Sequence, residues 1–393
     1  MQLQPIEKTQ RIHTIDIIRG FSLFGILCVN MLAFYVPMPH VTDLQTWFTD
    51  VYDIIAHQYL DIYVQSSFYP LFSMLFGYGI TMQFVKAQKA NQSFYKFASK
   101  RMIVLFALGM LHAYLIWWGD ILATYAFCGA FLLLFIRFSI KRLLIIALIL
   151  NGLFQALFIG SIIAVNSIEE ESFQIEMEAI DIMAVDESIT AYATGTWLDA
   201  FEQRKKDLAI QFAPMMWISS LFTILPYMLI GAAASKARLF ERAKEKWLTW
   251  TILAIVGLSI GLWLKSAAFT NEGFLYDYLK VYVGGPILAV GYAAVIVLLC
   301  LLPVVVKALS PVAKLGRMSL TMYLLQSIIL SVVFYHWGFG YYGKISVVEG
   351  IYMAIVIYII QLIIAELWLM KFSQGPIEWF MKKIIYPKKL SEK

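Results

Sequence analysis

Residues 143–165 read LLIIALILNGLFQALFIGSIIAV, a run of 23 residues that contains no Asp, Glu, Lys or Arg. An α-helix needs about 20 mostly apolar residues to cross the roughly 30 Å of hydrocarbon in a bilayer. This run therefore predicts a helix that spans a membrane. In lipid a chain satisfies its backbone hydrogen bonds only as a helix or a closed barrel. Because this run predicts a helix, we expect the other membrane-spanning segments of the chain to be helices as well.

Nine further apolar runs predict ten spans in all, and the third and fourth meet in a tight hairpin at residues 117–120. The composition agrees, because 61% of the residues are hydrophobic and only 15% are charged, against about 25% charged in soluble domains. We therefore expect an all-α, polytopic transmembrane helical bundle that forms one integral membrane domain over residues 1–393. The predicted spans are 17–36, 66–85, 102–119, 120–136, 143–165, 209–234, 247–265, 279–305, 318–337 and 349–370.

The charges between the runs predict an orientation. Lys and Arg accumulate in the cytoplasmic loops of membrane proteins. With the N-terminus inside, the basic loops fall on the cytoplasmic side, while the 37–65 loop and the 166–208 loop, which holds eleven acidic residues, fall outside. This predicts that both termini are cytoplasmic, that 166–208 is an acidic outer loop or helical cap, and that 371–393 is a basic cytoplasmic tail. No cleavage site follows the first run, so we expect it to be a retained span.

Polar residues within the first span are candidates for function, because ionisable groups are costly in lipid. Asp16 and Arg19 lie three residues apart on one helix face. They predict either a local ion pair or a cytoplasmic site at which Arg19 binds an anionic ligand such as a phosphate. Asn30 follows Arg19 by eleven residues, about three helical turns, and so shares its face. Asn30 therefore either extends a polar stripe from Arg19 toward the outer half of the membrane or forms an interhelical hydrogen bond.

Histidines and one aspartate supply the remaining candidates. His112 lies well inside the third span, where it is a general base, a proton relay or a packing residue. Asp120 follows eight residues later, too far for direct contact along one helix without a water or a bend. His40 lies in the first outer loop, where it is placed to fold over the outer mouth. Tyr323 is a further polar residue of the ninth span. No metal-ligand spacing is present, and the dispersed positive charge does not indicate nucleic-acid binding.

Several blocks of sequence carry a resemblance. The blocks are RIHTIDIIRGF (11–21), FYPLFSMLFGYG (68–79), GMLH (109–112), WGDILATYA (118–126), GRMSLTMYLLQS (316–327) and GPIEW (375–379). In these blocks the chain resembles the bacterial YeiB proteins, also called the domain-of-unknown-function 418 family, over nearly its whole length. Met322 is one departure, because the family often has Asn there. The resemblance implies a multi-pass protein of the bacterial inner membrane.

A more distant similarity concerns the first span. The Asp16-x-x-Arg19-Gly20 start, with Asn30 eleven residues after the arginine, is similar to that of heparan-α-glucosaminide N-acetyltransferases, which are grouped with the acyltransferase-3 proteins as transmembrane acyltransferases. The similarity implies transfer of an acyl group from a cytoplasmic donor, such as acetyl-CoA, to a small-molecule or envelope-glycan acceptor outside. That family has a catalytic His about 11 residues after its Asn. Here His40 is one residue off that spacing, and His112 is the rival.

Acyl transfer from a thioester needs a base for the acceptor proton and a donor for the oxyanion. These roles define the candidate catalytic and donor-binding residues. We expect acyl-CoA as a co-substrate and no tightly bound cofactor. Two alternatives stay open: a small-solute transporter with His112 as proton relay, and a structural or partner-binding membrane protein. The expected partner is the lipid bilayer, and a homo-oligomer is also open. The candidates are His112, Asn30, His40 and Asp120 for catalysis, and Arg19 and Asp16 for donor binding.

Overall fold

The computed structural model of the protein describes residues 12–41, 44–165, 182–271 and 273–386, and these residues form a bundle of helices without strands. Wider π-helical turns extend α8 over Thr190–Thr194 and join α13 to α14 over Lys280–Gly284. The helices are α1 (His13–Tyr35), α2 (Leu44–Trp47), α3 (Val51–Tyr63), α4 (Phe68–Lys89), α5 (Tyr95–Leu115), α6 (Leu122–Phe135), α7 (Ile140–Val165), α8 (182–189), α9 (Trp197–Gln211), α10 (Pro214–Thr223), α11 (Leu225–Lys236), α12 (Trp247–Ala267), α13 (Phe274–Leu279), α14 (Gly285–Leu299), α15 (Pro303–Ala308), α16 (Ser310–Arg317), α17 (Ser319–Phe334), α18 (Val347–Lys371) and α19 (Pro376–Ile385).

Helices lie at all ten predicted spans, which confirms the all-α polytopic membrane bundle. Seven segments of the described chain are long and apolar enough to cross a bilayer: α1, α5, α7, α10 with α11, α12, α13 with α14, and α18. The bent pair of α16 and α17 makes an eighth if it counts as one span. Helix α6 is shorter, and α4 is rich in polar residues. The count of ten and the cytoplasmic termini therefore stay predictions.

Burial separates the central helix from the peripheral ones. In the most apolar stretch of α1, 61% of the residues are buried, whereas the figure for α7 is 11%. Leu148 and Leu157 on α7 are 74% and 64% exposed. Apolar faces of this size are unstable in water, so α7 faces lipid and α1 forms the centre of the bundle.

Helices α4 and α11 touch backbone to backbone through glycines. A Cβ atom on Gly231 would lie 1.9 Å from the carbonyl oxygen of Met74, and one on Gly77 would lie 2.0 Å from that of Met228. Helices in lipid associate by close packing of small residues, because lipid tails are as apolar as the helices themselves. The two glycines therefore set the α4–α11 crossing.

This crossing gives a stability prediction. Gly231→Ala should lower the thermal unfolding midpoint, because the added methyl must push backbone away at a cost of about 1–3 kcal/mol or more. Gly160→Ala on α7 is the control, since its Cβ would meet nothing within 4 Å. Alanine is the better helix former by about 1 kcal/mol, so the control should be neutral or slightly stabilised. Equal midpoints for the two variants would contradict the close crossing.

The segment 310–334 is not one straight helix. Helices α16 and α17 meet at 84° around Met318, the residue at which the predicted span 318–337 begins, so α17 lies within that span and α16 precedes it. Helix α16 packs tightly against α1, because a Cβ on Gly316 would lie 1.9 Å from the carbonyl oxygen of Asp16. The break places Arg317, at the end of α16, next to the start of α17 and close to α1.

The two hydrophilic segments also contain helices. Within the predicted 166–208 outer segment, residues 166–181 lie outside the described residues, and α8 and α9 occupy most of the rest. The predicted basic tail over 371–393 includes α19, which packs against α5 and α17. Residues 387–393 lie outside the described part of the chain.

Candidate functional site

A cavity of about 320 Å³ lies between α1, α4, α5, α17 and α19, with the start of α6 at one end. Most of its wall is apolar, which suits the stem of an elongated ligand. The apolar residues that line it include Leu23, Phe72, Leu75, Phe76, Leu105 and Leu122.

Four cations line the cavity, Arg19, Arg101, Arg317 and Lys382; we call the part of the wall that they form the basic end. Arg101 is held in place, because its Nη1 donates to Gln83 Oε1 at 3.1 Å and its guanidinium lies 5.8 Å from the centroid of the Phe76 ring. Four cations around one apolar cavity favour a ligand with a multiply charged anionic group.

His112 and Asp120 lie in direct contact. His112 Nδ1 and Asp120 Oδ2 are 2.7 Å apart, and both side chains are almost fully buried. The eight-residue separation is bridged because α5 ends at Leu115 and the chain reverses before α6 begins at Leu122. The bend that the sequence required is this reversal. Asp120 Oδ1 also accepts the backbone N–H of Ala123 at 2.8 Å, which fixes the carboxylate to the start of α6.

Gly109 makes this contact sterically possible. A Cβ on Gly109 would lie 2.4 Å from Ala123 N and 2.7 Å from Asp120 Oδ1. Only a residue without a side chain lets the start of α6 lie so close to α5. The sequence contains the Gly109–His112 spacing, but nothing local indicates that the glycine faces Asp120.

Tyr323 connects the cavity to His112. Tyr323 lines the cavity, and its ring centroid lies 5.4 Å from that of His112, which is not itself part of the lining. The Tyr323 hydroxyl lies near the backbone of Ile121, but it forms no hydrogen bond of normal geometry with the described residues. His112 Nε2 also has no partner among them. Because unpaired buried polar atoms are costly, they mark a place where a polar group of a ligand would gain most.

The predicted donor-binding residues of α1 are only partly brought to this cavity. Arg19 lines it and lies 3.7 Å from Asp16 Oδ1, whereas Asp16 is not part of the lining. Arg19 thus lies in the ion pair with Asp16 and also at the cavity, and its binding of an anionic ligand stays a prediction. Asn30 is half-buried, does not line the cavity and has no hydrogen bond to His112. Its predicted oxyanion role is not favoured by this position.

His40 belongs to a separate network. Its Nε2 lies 3.0 Å from Asp207 Oδ1 on α9, and Asp207 Oδ2 accepts the Tyr192 hydroxyl at 2.7 Å. Gln203 Nε2 also donates to Asp207, at 3.0 Å. His40 does not line the cavity, so of the two rival histidines only His112 adjoins it.

Arg204 fixes the end of α5. This fully buried side chain on α9 donates to the carbonyl oxygens of Tyr114 and Ile116 at 2.9 and 3.2 Å. A helix C-terminus carries partial negative charge, which an arginine stabilises. Arg204 of α9 therefore holds the backbone just after His112. The sequence signal for this role is a basic residue within the mostly acidic 166–208 segment.

Comparison with known proteins identifies the family. Residues 234–388 match the model of a family described as "Protein of unknown function (DUF418)". The chain is 32% identical to the uncharacterized protein YxaH of Bacillus subtilis, over 98% of this chain and 96% of that protein. It is 27% identical to the uncharacterized protein YeiB of Escherichia coli, over 95% and 96%. The chain belongs to the YeiB family.

A further relative of this YeiB-family chain is an uncharacterized 39.9 kDa protein of Bacillus acidopullulyticus, 28% identical over 98% of this chain and 97% of that protein. No solved structure matches the chain significantly. The matched family region contains Arg317, Tyr323, Glu378 and Lys382, but neither His112 nor Asp120. These names state no activity, so the activity is argued from the cavity. Within the described residues, no three His, Cys, Asp or Glu side chains cluster as metal ligands would.

Proposed function

We propose that this membrane protein is an acyltransferase that takes an acyl group from a phosphate-bearing thioester, such as acetyl-CoA, and passes it to an acceptor hydroxyl or amine. One observation carries the proposal. A largely apolar cavity is lined by four cations and by Tyr323, whose ring contacts His112 of the buried His112–Asp120 pair.

The separation of Arg101 and His112 suits such a donor. Arg101 and His112 are eleven residues apart on the same helix, which corresponds to about 16 Å along its axis. A pantetheine arm is a thin chain with phosphates at one end and the thioester at the other. With its phosphates at the basic end, its thioester lies near Tyr323.

His112 is the proposed general base. Asp120 accepts a hydrogen bond from Nδ1–H in the tautomer that leaves Nε2 unprotonated, and this tautomer is inferred from the contact. Nε2 then takes the proton of the acceptor as the acceptor atom attacks the thioester carbonyl. The Asp120 carboxylate stabilises the imidazolium that forms.

Tyr323 is the proposed donor to the oxyanion, in place of Asn30. Its hydroxyl has no hydrogen-bond partner of normal geometry among the described residues, and its side chain lines the cavity. When the tetrahedral intermediate collapses, the carbon–sulfur bond breaks and the sulfur leaves with the proton from His112. The products are the acylated acceptor and free CoA, so the step needs no oxidant or metal.

Labelled acetyl-CoA tests this function. The purified protein in phosphatidylcholine nanodiscs should bind acetyl-CoA saturably and release labelled acetate slowly, because water can replace the acceptor. Acetyl-pantetheine, which lacks phosphates, should bind more weakly. If the protein shows no binding and no acetate release above the level of empty nanodiscs, the proposal is overturned. Binding without acetyl release, with or without added alcohols and amines, would favour the transporter alternative.

A further inference from the structure

Helix α19 forms one wall of the cavity. Met381, Lys382, Ile385 and Tyr386 line it, and the ring of Tyr386 packs 4.9 Å from that of Phe97 on α5. Met381 and Ile385 are buried. Displacing α19 would therefore open the cavity along one whole side.

Glu378 and one backbone N–H attach α19 to α17, because Ile377 N also donates to Thr321 Oγ1 at 3.2 Å. Glu378 Oε1 accepts the backbone N–H groups of Leu320 and Thr321 at 2.9 and 3.1 Å, and Oε2 accepts the Thr321 hydroxyl. These N–H groups belong to the first turn of α17, which is sixteen residues long. A helix N-terminus of this kind binds anions, because its free N–H groups and its dipole both favour negative charge.

The surroundings of Glu378 point to a larger anion than a carboxylate. Among the described residues, Glu378 is the only acidic one that lines the cavity, against the four cations of the basic end. Lys382, one turn further along α19, has no carboxylate within 4 Å in the described chain. Tyr323, one turn into α17, lines the same cavity, and its buried hydroxyl has no hydrogen-bond partner among the described residues.

Glu378 also holds this position at a cost. Burial raises the pKa of its carboxyl group, despite the hydrogen bonds from α17 that lower it. The ionised side chain is therefore less stable here than in water. A phosphate monoester brings more negative charge and more acceptor oxygens to the same N–H groups and cations.

We propose that Glu378 occupies the anion site of this cavity in the unliganded protein, and that a phosphate-bearing amphiphile displaces it and so releases α19 from α17. The inference rests on the cavity of the proposed function as a ligand site, but not on acyl transfer. The phosphate binds at the start of α17 and the basic end, and the rest of the ligand lies along the apolar wall toward Tyr323.

Hydrogen–deuterium exchange of the wild-type protein tests the displacement. In phosphatidylcholine nanodiscs, saturating CoA should make the backbone amides of residues 379–385 exchange faster. Nanodiscs that contain phosphatidic acid, without CoA, provide the second arm. Faster exchange with CoA identifies a soluble ligand, and faster exchange with phosphatidic acid identifies a lipid ligand. Unchanged or slower exchange in both arms would overturn the inference.

Glu378→Gln tests the competition directly. The amide keeps the size of the side chain but removes the competing anion, so the variant should bind CoA about tenfold more tightly. Glu349→Gln is the matched control, because Glu349 likewise accepts a hydrogen bond at the start of α18, but is exposed and does not line the cavity. Its affinity should equal that of the wild type. A folded Glu378→Gln protein with equal or weaker affinity would contradict the inference, and if the variant does not fold, the wild-type exchange decides. If CoA opens α19 but acetyl-CoA is not cleaved, the result refutes acyl transfer and leaves the displacement of Glu378 standing.

Discussion

His112→Gln should lower the release of acetyl groups from acetyl-CoA by about 10²- to 10⁴-fold, the usual contribution of a general base. Glutamine retains a polar group that can hydrogen-bond to Asp120 but cannot take up a proton. Binding of CoA should be unchanged, because His112 is not part of the cavity lining. The measurement is the rate of label release at saturating acetyl-CoA, together with the dissociation constant of CoA for each variant.

Two further variants make this result interpretable. Asp120→Asn should also reduce the rate by about 10²-fold or more without loss of CoA affinity, because the amide no longer holds the tautomer that leaves Nε2 free. His13→Gln is the control, since His13 is an exposed residue at the start of α1. It should behave as the wild type. If His112→Gln and His13→Gln release acetate at the same rate, His112 is not the base.

Arg101→Gln should weaken CoA binding by about 10- to 100-fold, as expected for the loss of one hydrogen bond to a charged group in a cavity. Arg101 is the cation whose position is best defined, because Gln83 and the Phe76 ring hold it at the cavity wall. The rate of acetyl release at saturation should change little, since Arg101 lies about 16 Å from His112 along α5.

Salt and a surface control separate this effect from general electrostatics. Arg142→Gln removes an exposed arginine at the start of α7 and should leave the dissociation constant unchanged. The affinity of the wild type should fall as salt rises, and this dependence should be weaker in Arg101→Gln. Equal affinities for the two arginine variants would show that the phosphate does not bind at the basic end.

The sequence predicts where the helices lie, because each buried or lipid-facing helix needs a run of apolar residues. It does not predict the angle between successive helices. The predicted span 318–337 begins at the bend, but the apolar pattern gives no sign that residues 310–317 form a helix at 84° to it. The bend is stabilised by tertiary contacts: Gly316 lies against the backbone of α1, and Glu378 satisfies the N–H groups at the start of α17. These partners are far away in sequence.

The sequence also predicts only part of the candidate site: it identifies several of the residues but not which of them lie together. Spacing on a helix places Arg19 and Asn30 on one face, but only Arg19 lies at the cavity, because α1 lines it only as far as Ile26 and Asn30 lies about one turn further along. His112 and Asp120 meet through a chain reversal that an ideal helix does not contain. Glu378 reaches the cavity from α19, in a segment whose basic composition predicts a solvated tail. The spacing of residues along one helix does not show which residues of other helices lie beside them.

The two walls of the cavity differ in how firmly they are held. Helix α4, which contributes Phe72 and Phe76, is fixed by the glycine crossing with α11, whereas α19 is attached to α17 through Glu378 and the backbone N–H of Ile377. Under the proposed function, the α4 side of the cavity cannot widen for a bulkier ligand without separating α4 from α11. The α4 wall then acts as a fixed gauge of ligand width, whatever the state of α19.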